Sequence, residues 1–156
     1  MQRHENNLLI REINLLRNTV QKVRKRHPFQ IDAWVVLPEH MHCVWTLPPD
    51  DSDFSMRWRL IKSEFPQALP KNERRSMVRK AAGERGIWQR HYWEYVIRDD
   101  LDHQRHVDYV HVNPLKHRYV KCVADWPYSI FHKYVEQGVY LPNGCGDLNV
   151  VVGGDE

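Results

Sequence analysis

The 156-residue sequence predicts an α+β protein, with antiparallel strands carrying helices packed on one face. Three observations predict it. Apolar residues recur at helical spacing over 6–26, 53–65 and 100–112. Strand-like stretches run from Phe29 to Val36 and from His40 to Leu47. Between those two stretches, Leu37-Pro38-Glu39 turns the chain back on itself.

In the first helix, Leu9, Ile13, Leu16, Val20 and Val23 make one apolar stripe. Arg11, Arg17, Lys22 and Arg24 to Arg26 lie largely off it. Pro28 closes the helix, because proline lacks an N–H and disfavours helix in the residue before it. Phe29, Ile31, Ala33 and Val35 then share one strand face, and His40, His42, Val44 and Thr46 share a face of the next strand. Ser52 or Asp53 caps the following helix. Phe54, Trp58, Ile61 and Phe65 form its buried stripe, Arg57, Arg59 and Lys62 its surface, and Pro66 its end.

Residues 66–86 read as a polar, basic insertion. Trp88 to Ile97, rich in aromatic and β-branched residues, reads as a strand. Asp99 or Asp100 caps a helix that Pro114 breaks. Asp102, His106, Tyr109 and Asn113 line one side of it, while His103, Val107 and Val110 face the sheet. A turn at Asp125-Trp126-Pro127-Tyr128-Ser129 leads to a last short helix ending near Gly138. Residues 1–140 are expected to form a single domain, and 141–156 a flexible tail.

The totals narrow the function. Charged residues at 28% beside 42% hydrophobic ones fit a soluble globular chain. The net charge of +3 is mild, but basic residues cluster at Lys22 to Arg26, Arg57 to Lys62 and Arg74 to Lys80. Such clusters fit a phosphate-rich partner, or else solvated helix faces. Six Trp and seven Tyr offer core mass and stacking surface for unpaired bases. Three cysteines without a CxxC pair point to a reduced cytosolic compartment. No apolar run suits a leader or a membrane span, so a cytoplasmic chain with no membrane partner is expected.

The chemistry gathers at His40-Met41-His42 and Tyr109. Strand residues i and i+2 point to one face, so the two imidazoles leave the sheet together, as a divalent cation requires. Asn113 lies one helical turn after Tyr109. A free phenol, with a pKa of about 10, is a poor nucleophile at neutral pH without help. A metal held by His40, His42 and the Asn113 amide oxygen would polarise a phosphate and leave positions open for its oxygens. That ligand set suits Mn²⁺ comfortably and Mg²⁺ acceptably. Each part alone is weak, since a strand His pair is often structural and a helix Tyr usually packs.

The stretch Ala33-Trp34-Val35-Val36-Leu37-Pro38-Glu39-His40-Met41-His42 resembles the HUH motif (His, hydrophobic, His) of single-strand DNA endonucleases. The run from His106 to His117, through Tyr109-Val110-His111-Val112-Asn113-Pro114, resembles the tyrosine helix of single-tyrosine transposases. Asp125-Trp126-Pro127-Tyr128-Ser129 resembles the motif that follows it. Together, over about residues 8–140, they look most like a REP-associated tyrosine transposase.

The resemblance implies cleavage of single-stranded DNA beside a hairpin, a 5′-phosphotyrosine intermediate and rejoining by a free 3′-hydroxyl. It implies Tyr109 as nucleophile, His40 and His42 as metal pair, Asn113 as third ligand, and Mg²⁺ or Mn²⁺ as cofactor. His106 is a candidate phosphate contact or proton partner. Arg24, Lys25, Arg57, Arg59 and Lys62 are candidate DNA contacts. A monomer or a homodimer is expected.

The resemblance also implies a ferredoxin-like sheet with a central first strand, and no strand pattern precedes the first helix. That strand is expected upstream of Met1, with a truncated gene copy as rival; the tail near Asp147 to Val152 or a second subunit could also fill the gap. Two other function classes compete: a non-catalytic hairpin-DNA-binding protein from a truncated or domesticated transposase, and an unrelated HxH metalloenzyme that makes no covalent DNA adduct.

Overall fold

The structure, a computed structural model, describes residues 7–38, 40–71 and 95–140. These group into two compact units. One holds three helices: α1 (Leu8–Arg11), α2 (Ile13–Arg26) and α3 (Phe54–Ala68). The other holds a two-stranded sheet, β1 (Gln30–Val36, from Ile31 on) and β2 (Met41–Thr46), with helix α4 (Asp100–Lys116), a 3₁₀ turn (Val123–Asp125) and helix α5 (Phe131–Glu136).

In the first unit the expected single helix is interrupted at Glu12, where φ is −106° and ψ is 35°. The Glu12 N–H still donates to the Leu8 carbonyl at 2.9 Å, and its own carbonyl accepts from Leu16 N–H at 3.0 Å. The stripe therefore carries across the break, and Leu9, Leu16, Val20 and Val23 are buried. α3 packs on α2. Asp53 is its cap, accepting from the Met56 N–H at 3.1 Å. Pro66 does not end α3, which runs to Ala68. A proline so close to the terminus forfeits one ladder bond, and the Leu69 N–H closes the last turn on the Pro66 carbonyl at 3.2 Å.

In the second unit the hairpin forms as its sequence predicts. β1 is buried on both faces from Asp32 to Val36, so it lacks the in–out alternation of a half-exposed strand. One edge of β1 pairs with β2. Residues 126–130 run along β1 as well. There the Val36 N–H donates to Tyr128 O at 2.9 Å, and the Ile130 N–H to Trp34 O at 3.1 Å. The Trp126 indole N–H donates to Val36 O at 3.0 Å. The Trp-Pro-Tyr-Ser turn thus satisfies backbone groups that an open edge would leave unpaired.

α4 packs on β2 and is capped by Asp99, which accepts the Asp102 N–H at 2.8 Å. Val107 and Val110 are buried. His103 Nε2 lies 3.2 Å from Asp32 Oδ2, which also accepts from the Thr46 hydroxyl. Burial lowers the pKa of His111 to about 4, so this imidazole is a neutral core group beside Phe131, Tyr134 and Tyr140. Gly138, at φ 76°, takes the left-handed conformation just past α5.

The expected strand Trp88 to Ile97 lies outside the described residues up to position 94, and Tyr95 to Ile97 carry no regular structure. The basic segment beyond 71, the tail beyond 140 and any strand ahead of α1 also lie outside them. Cys43 is a free cysteine. Among the described residues no helix is long and apolar enough to cross a membrane.

Candidate metal centre and nucleophile

α4 supplies most of the site. Tyr109, Asn113 and Lys116 lie four and three residues apart, and His117 follows at the helix C-cap. At 3.6 residues per turn these positions share one side of the helix. The helix continues through Pro114, contrary to the expectation that this proline breaks it. The cost is one N–H, and the last turn is held by other bonds. His117 N–H donates to Asn113 O, Arg118 N–H to Leu115 O and Tyr119 N–H to Pro114 O, each at 3.0 Å. The last two form a Schellman motif, with Arg118 at φ 61° where glycine is the usual occupant. This turn fixes His117 at the helix end.

The Tyr109 and His42 rings meet edge to face, with centroids 6.2 Å apart and planes at 83°. His40, just before β2, His42 on β2 and His117 each offer a ring nitrogen, and these atoms lie within 4.8 Å of one another. Asn113 is fully buried, yet neither its amide oxygen nor its amide nitrogen has a hydrogen-bond partner among the described residues. Buried amides are normally satisfied, so this one calls for an unseen partner. Three imidazole nitrogens with an unsatisfied amide oxygen one turn away suit a divalent cation, and imidazole favours Mn²⁺ over Mg²⁺.

Lys116 Nζ donates to the Tyr109 phenolic oxygen at 3.0 Å and sits 4.9 Å from the centre of the ring. His106 lies one turn before Tyr109. Its Nδ1 is 2.8 Å from the Asp102 carbonyl oxygen and 3.3 Å from the Asp102 carboxylate, and its ring stacks on Tyr95 at 4.5 Å.

The expected DNA contacts divide. Arg57 is not on the surface of α3: it is 2% exposed. Its guanidinium donates to the His27, Pro28 and Asp53 carbonyls and to both Asp51 oxygens. With its donors used inside the fold, it is a structural bolt and no phosphate contact. Arg24 is half-buried, donating to Phe29 O at 3.0 Å with its guanidinium over the Phe29 ring. Lys62 is half-buried too, and desolvation lowers its pKa. Lys25 and Arg59 are exposed.

Sequence reasoning missed His117 and Lys116 as site residues. Their spacing from Asn113 and Tyr109 was the available signal, and the reading of Pro114 as a helix stop concealed it.

No protein-family model matches the sequence. An Escherichia coli (strain K12) REP-associated tyrosine transposase is 47% identical over 141 residues, covering 90% of this chain and 78% of the relative. A Haemophilus influenzae relative is 39% identical over 144 residues, covering 92% of this chain and 82% of its own length. A solved structure of a REP-associated tyrosine transposase bound to a REP hairpin aligns with a TM-score of 0.79 and 43% identity, covering 99% of this chain and 86% of that one. On identity and coverage of this extent, the chain belongs to the REP-associated tyrosine transposases, a family of DNA-processing enzymes.

Proposed function

We propose that the chain cuts and rejoins single-stranded DNA beside a hairpin, with Tyr109 as the nucleophile. The supporting observation is the meeting of a phenol with clustered imidazoles: Tyr109 lies against His42, whose ring nitrogen gathers with those of His40 and His117. The hairpin bound to the solved relative supports a hairpin partner. The Tyr109 oxygen attacks phosphorus as its proton passes to solvent. The bond from phosphorus to the 3′-oxygen breaks, and that oxygen takes up a proton to leave as a 3′-hydroxyl. The 5′-phosphate stays esterified to Tyr109, so a second 3′-hydroxyl can reverse the step without ATP.

A divalent ion, Mg²⁺ or Mn²⁺, held by His40, His42 and Asn113 with His117 as a further imidazole, would supply charge neutralisation on the phosphate. His106 offers its Nε2 to a phosphate oxygen or a proton, since its Nδ1 is engaged within α4. Lys25 and Arg59 are the exposed cations that reach backbone phosphates; Arg24 and Lys62 contribute through the parts of their side chains left in solvent. Cytoplasmic action as a monomer or homodimer fits this role.

The test is a covalent adduct. Incubation with a REP hairpin oligonucleotide bearing a single-stranded flank, plus Mn²⁺, gives a slower protein band on a denaturing gel. Tyr109→Phe keeps the ring and loses the band while hairpin affinity stays close to that of the parent. An adduct that survives this substitution rules out the assignment, and a parent protein that binds the hairpin and forms no adduct favours a non-catalytic binder.

A further inference from the structure

We propose that Lys116 is a catalytic residue of the cleavage step: its ammonium, held on the oxygen and ring of Tyr109, receives the scissile phosphate as Tyr109 attacks. The inference rests on the reading of Tyr109 as nucleophile and adds to it the group that meets the phosphate there.

Lys116 follows Tyr109 by seven residues, nearly two full turns, so the two share a side of α4. Side chains on a helix tilt toward its N-terminus, which lets the lysine reach back along the axis to the phenol. It arrives with Nζ 3.0 Å from the phenolic oxygen and 4.9 Å from the ring centre.

An ammonium carries three donors. Among the described residues, one is spent on Tyr109, and no carboxylate lies within ion-pair distance of Lys116. Two other cations among the described residues are committed within the fold. Arg57 is consumed inside the fold and Arg26 pairs with Glu64 at 2.5 Å. Lys116 thus keeps two donors for an anion, at the atom where the anion must arrive.

The geometry decides what those donors can meet. Nonbridging oxygens of a phosphate under attack by Tyr109 are one bond from the phosphorus that its oxygen joins. A donor already resting on that oxygen is therefore within hydrogen-bond reach of them. Negative charge grows on these oxygens as the new bond forms, so the contact strengthens in the transition state and acts on rate more than on affinity. The bond formed is phosphorus to Tyr109 oxygen, the bond broken is phosphorus to the 3′-oxygen, and Lys116 keeps its proton throughout. In the reverse step the same ammonium meets the departing phenolate. A plain packing role, with the lysine stem covering a half-buried ring, predicts none of this.

The experiment uses the full chain and a 5′-labelled REP hairpin oligonucleotide with a single-stranded flank in Mn²⁺. It compares single-turnover adduct formation with hairpin Kd for the parent, Lys116→Met and Lys116→Arg. Removal of one donor to a developing oxyanion costs about 10²-fold or more in rate at enclosed sites; for this exposed lysine a loss of about 10- to 100-fold is expected in Lys116→Met. Kd stays within about twofold, and Lys116→Arg, which keeps a cation able to bind phosphate, recovers at least half of the loss on a logarithmic scale. A rate within twofold of the parent in Lys116→Met overturns the proposal. So does a rate loss matched by an equal loss of affinity, which marks an ordinary backbone contact, and so does no recovery in Lys116→Arg. Tyr109→Phe, run in parallel, separates the two readings. An adduct that survives it removes the nucleophile assignment, whereas its loss together with an unaffected Lys116→Met removes the lysine alone.

Discussion

Arg57→Met tests whether the basic face of α3 is what its sequence suggests. The substitution keeps most of the aliphatic length and removes the guanidinium. In the folded chain that group makes five bonds: Nε to His27 O at 3.2 Å, Nη1 to Asp53 O at 3.0 Å and Asp51 Oδ1 at 3.1 Å, and Nη2 to Pro28 O at 2.9 Å and Asp51 Oδ2 at 2.7 Å. It thereby ties the start of α3 to the end of α2. Breaking a buried ion pair by removing one partner costs roughly 3–5 kcal/mol. The Asp51 side chain is 35% exposed and regains water, which places the loss near the low end, about 3 kcal/mol. For a chain of this size that is a melting point lower by roughly 6–12 °C.

The pH dependence has a definite sign. The Arg57 hydrogen bond, then the Asp53 N–H, hold the Asp51 carboxyl at about 2, below its ordinary 3.8. A depressed carboxylate contributes stability that is complete above the ordinary value and lost as pH falls from there through about 2. The gap between parent and Arg57→Met therefore narrows in acid. Melting followed by circular dichroism at several pH values measures it, and hairpin binding is titrated against salt in parallel, well below the melting point. A variant that melts within 2 °C of the parent at neutral pH, and whose salt slope falls by about 0.7–0.9, would show Arg57 to be a phosphate contact.

His42→Ala and His117→Ala each weaken Mn²⁺ binding by about tenfold or more in calorimetry without DNA, and Asn113→Ala weakens it less, because water replaces an amide oxygen; unchanged affinity in His117→Ala removes that ring from the ligand set. Neutralising Lys25 and Arg59 together lowers the salt slope of log K for hairpin binding by about 1.4–1.8, since each released phosphate contact contributes about 0.7–0.9; an unchanged slope makes them solvated surface. Arg118→Gly relieves a left-handed residue and raises stability by about 1 kcal/mol, read as a higher melting point; a destabilised variant would show that the side chain contributes more than the strain costs.

Much of this was legible in the sequence. The stripe of α2, the hairpin, the two aspartate caps and the faces of α4 follow from spacing and residue type alone. So do the Tyr109 and His42 pair, because strand and helix periods fix which way these side chains leave the backbone. What escaped was set by tertiary bonding. Composition marks Arg57 as a surface cation, and its interior role depends on carbonyls at 27, 28 and 53 converging around it. The close fit of residues 126–130 along β1 likewise could not be read from a turn signal.

The prolines carry the sharper lesson. Pro114 lacks the N–H that would bond to Val110 O, and a local reading ends the helix there. The Schellman bonds of Arg118 and Tyr119, with His117 N–H on Asn113 O, hold one more turn against that loss. That turn decides the site. Taking Tyr109 as the origin and about 100° per residue, Lys116 falls near −20°, Asn113 near 40° and His117 near 80°. Asn113 therefore stands between the phenol and the third imidazole, buried, with its amide unsatisfied among the described residues. Had the helix stopped at Val112, Lys116 could not reach the phenol from two turns below, and His117 would have no fixed angle to His42. The unsatisfied amide, the lysine on the nucleophile and the third imidazole are thus consequences of one structural fact, a helix that outlasts its proline.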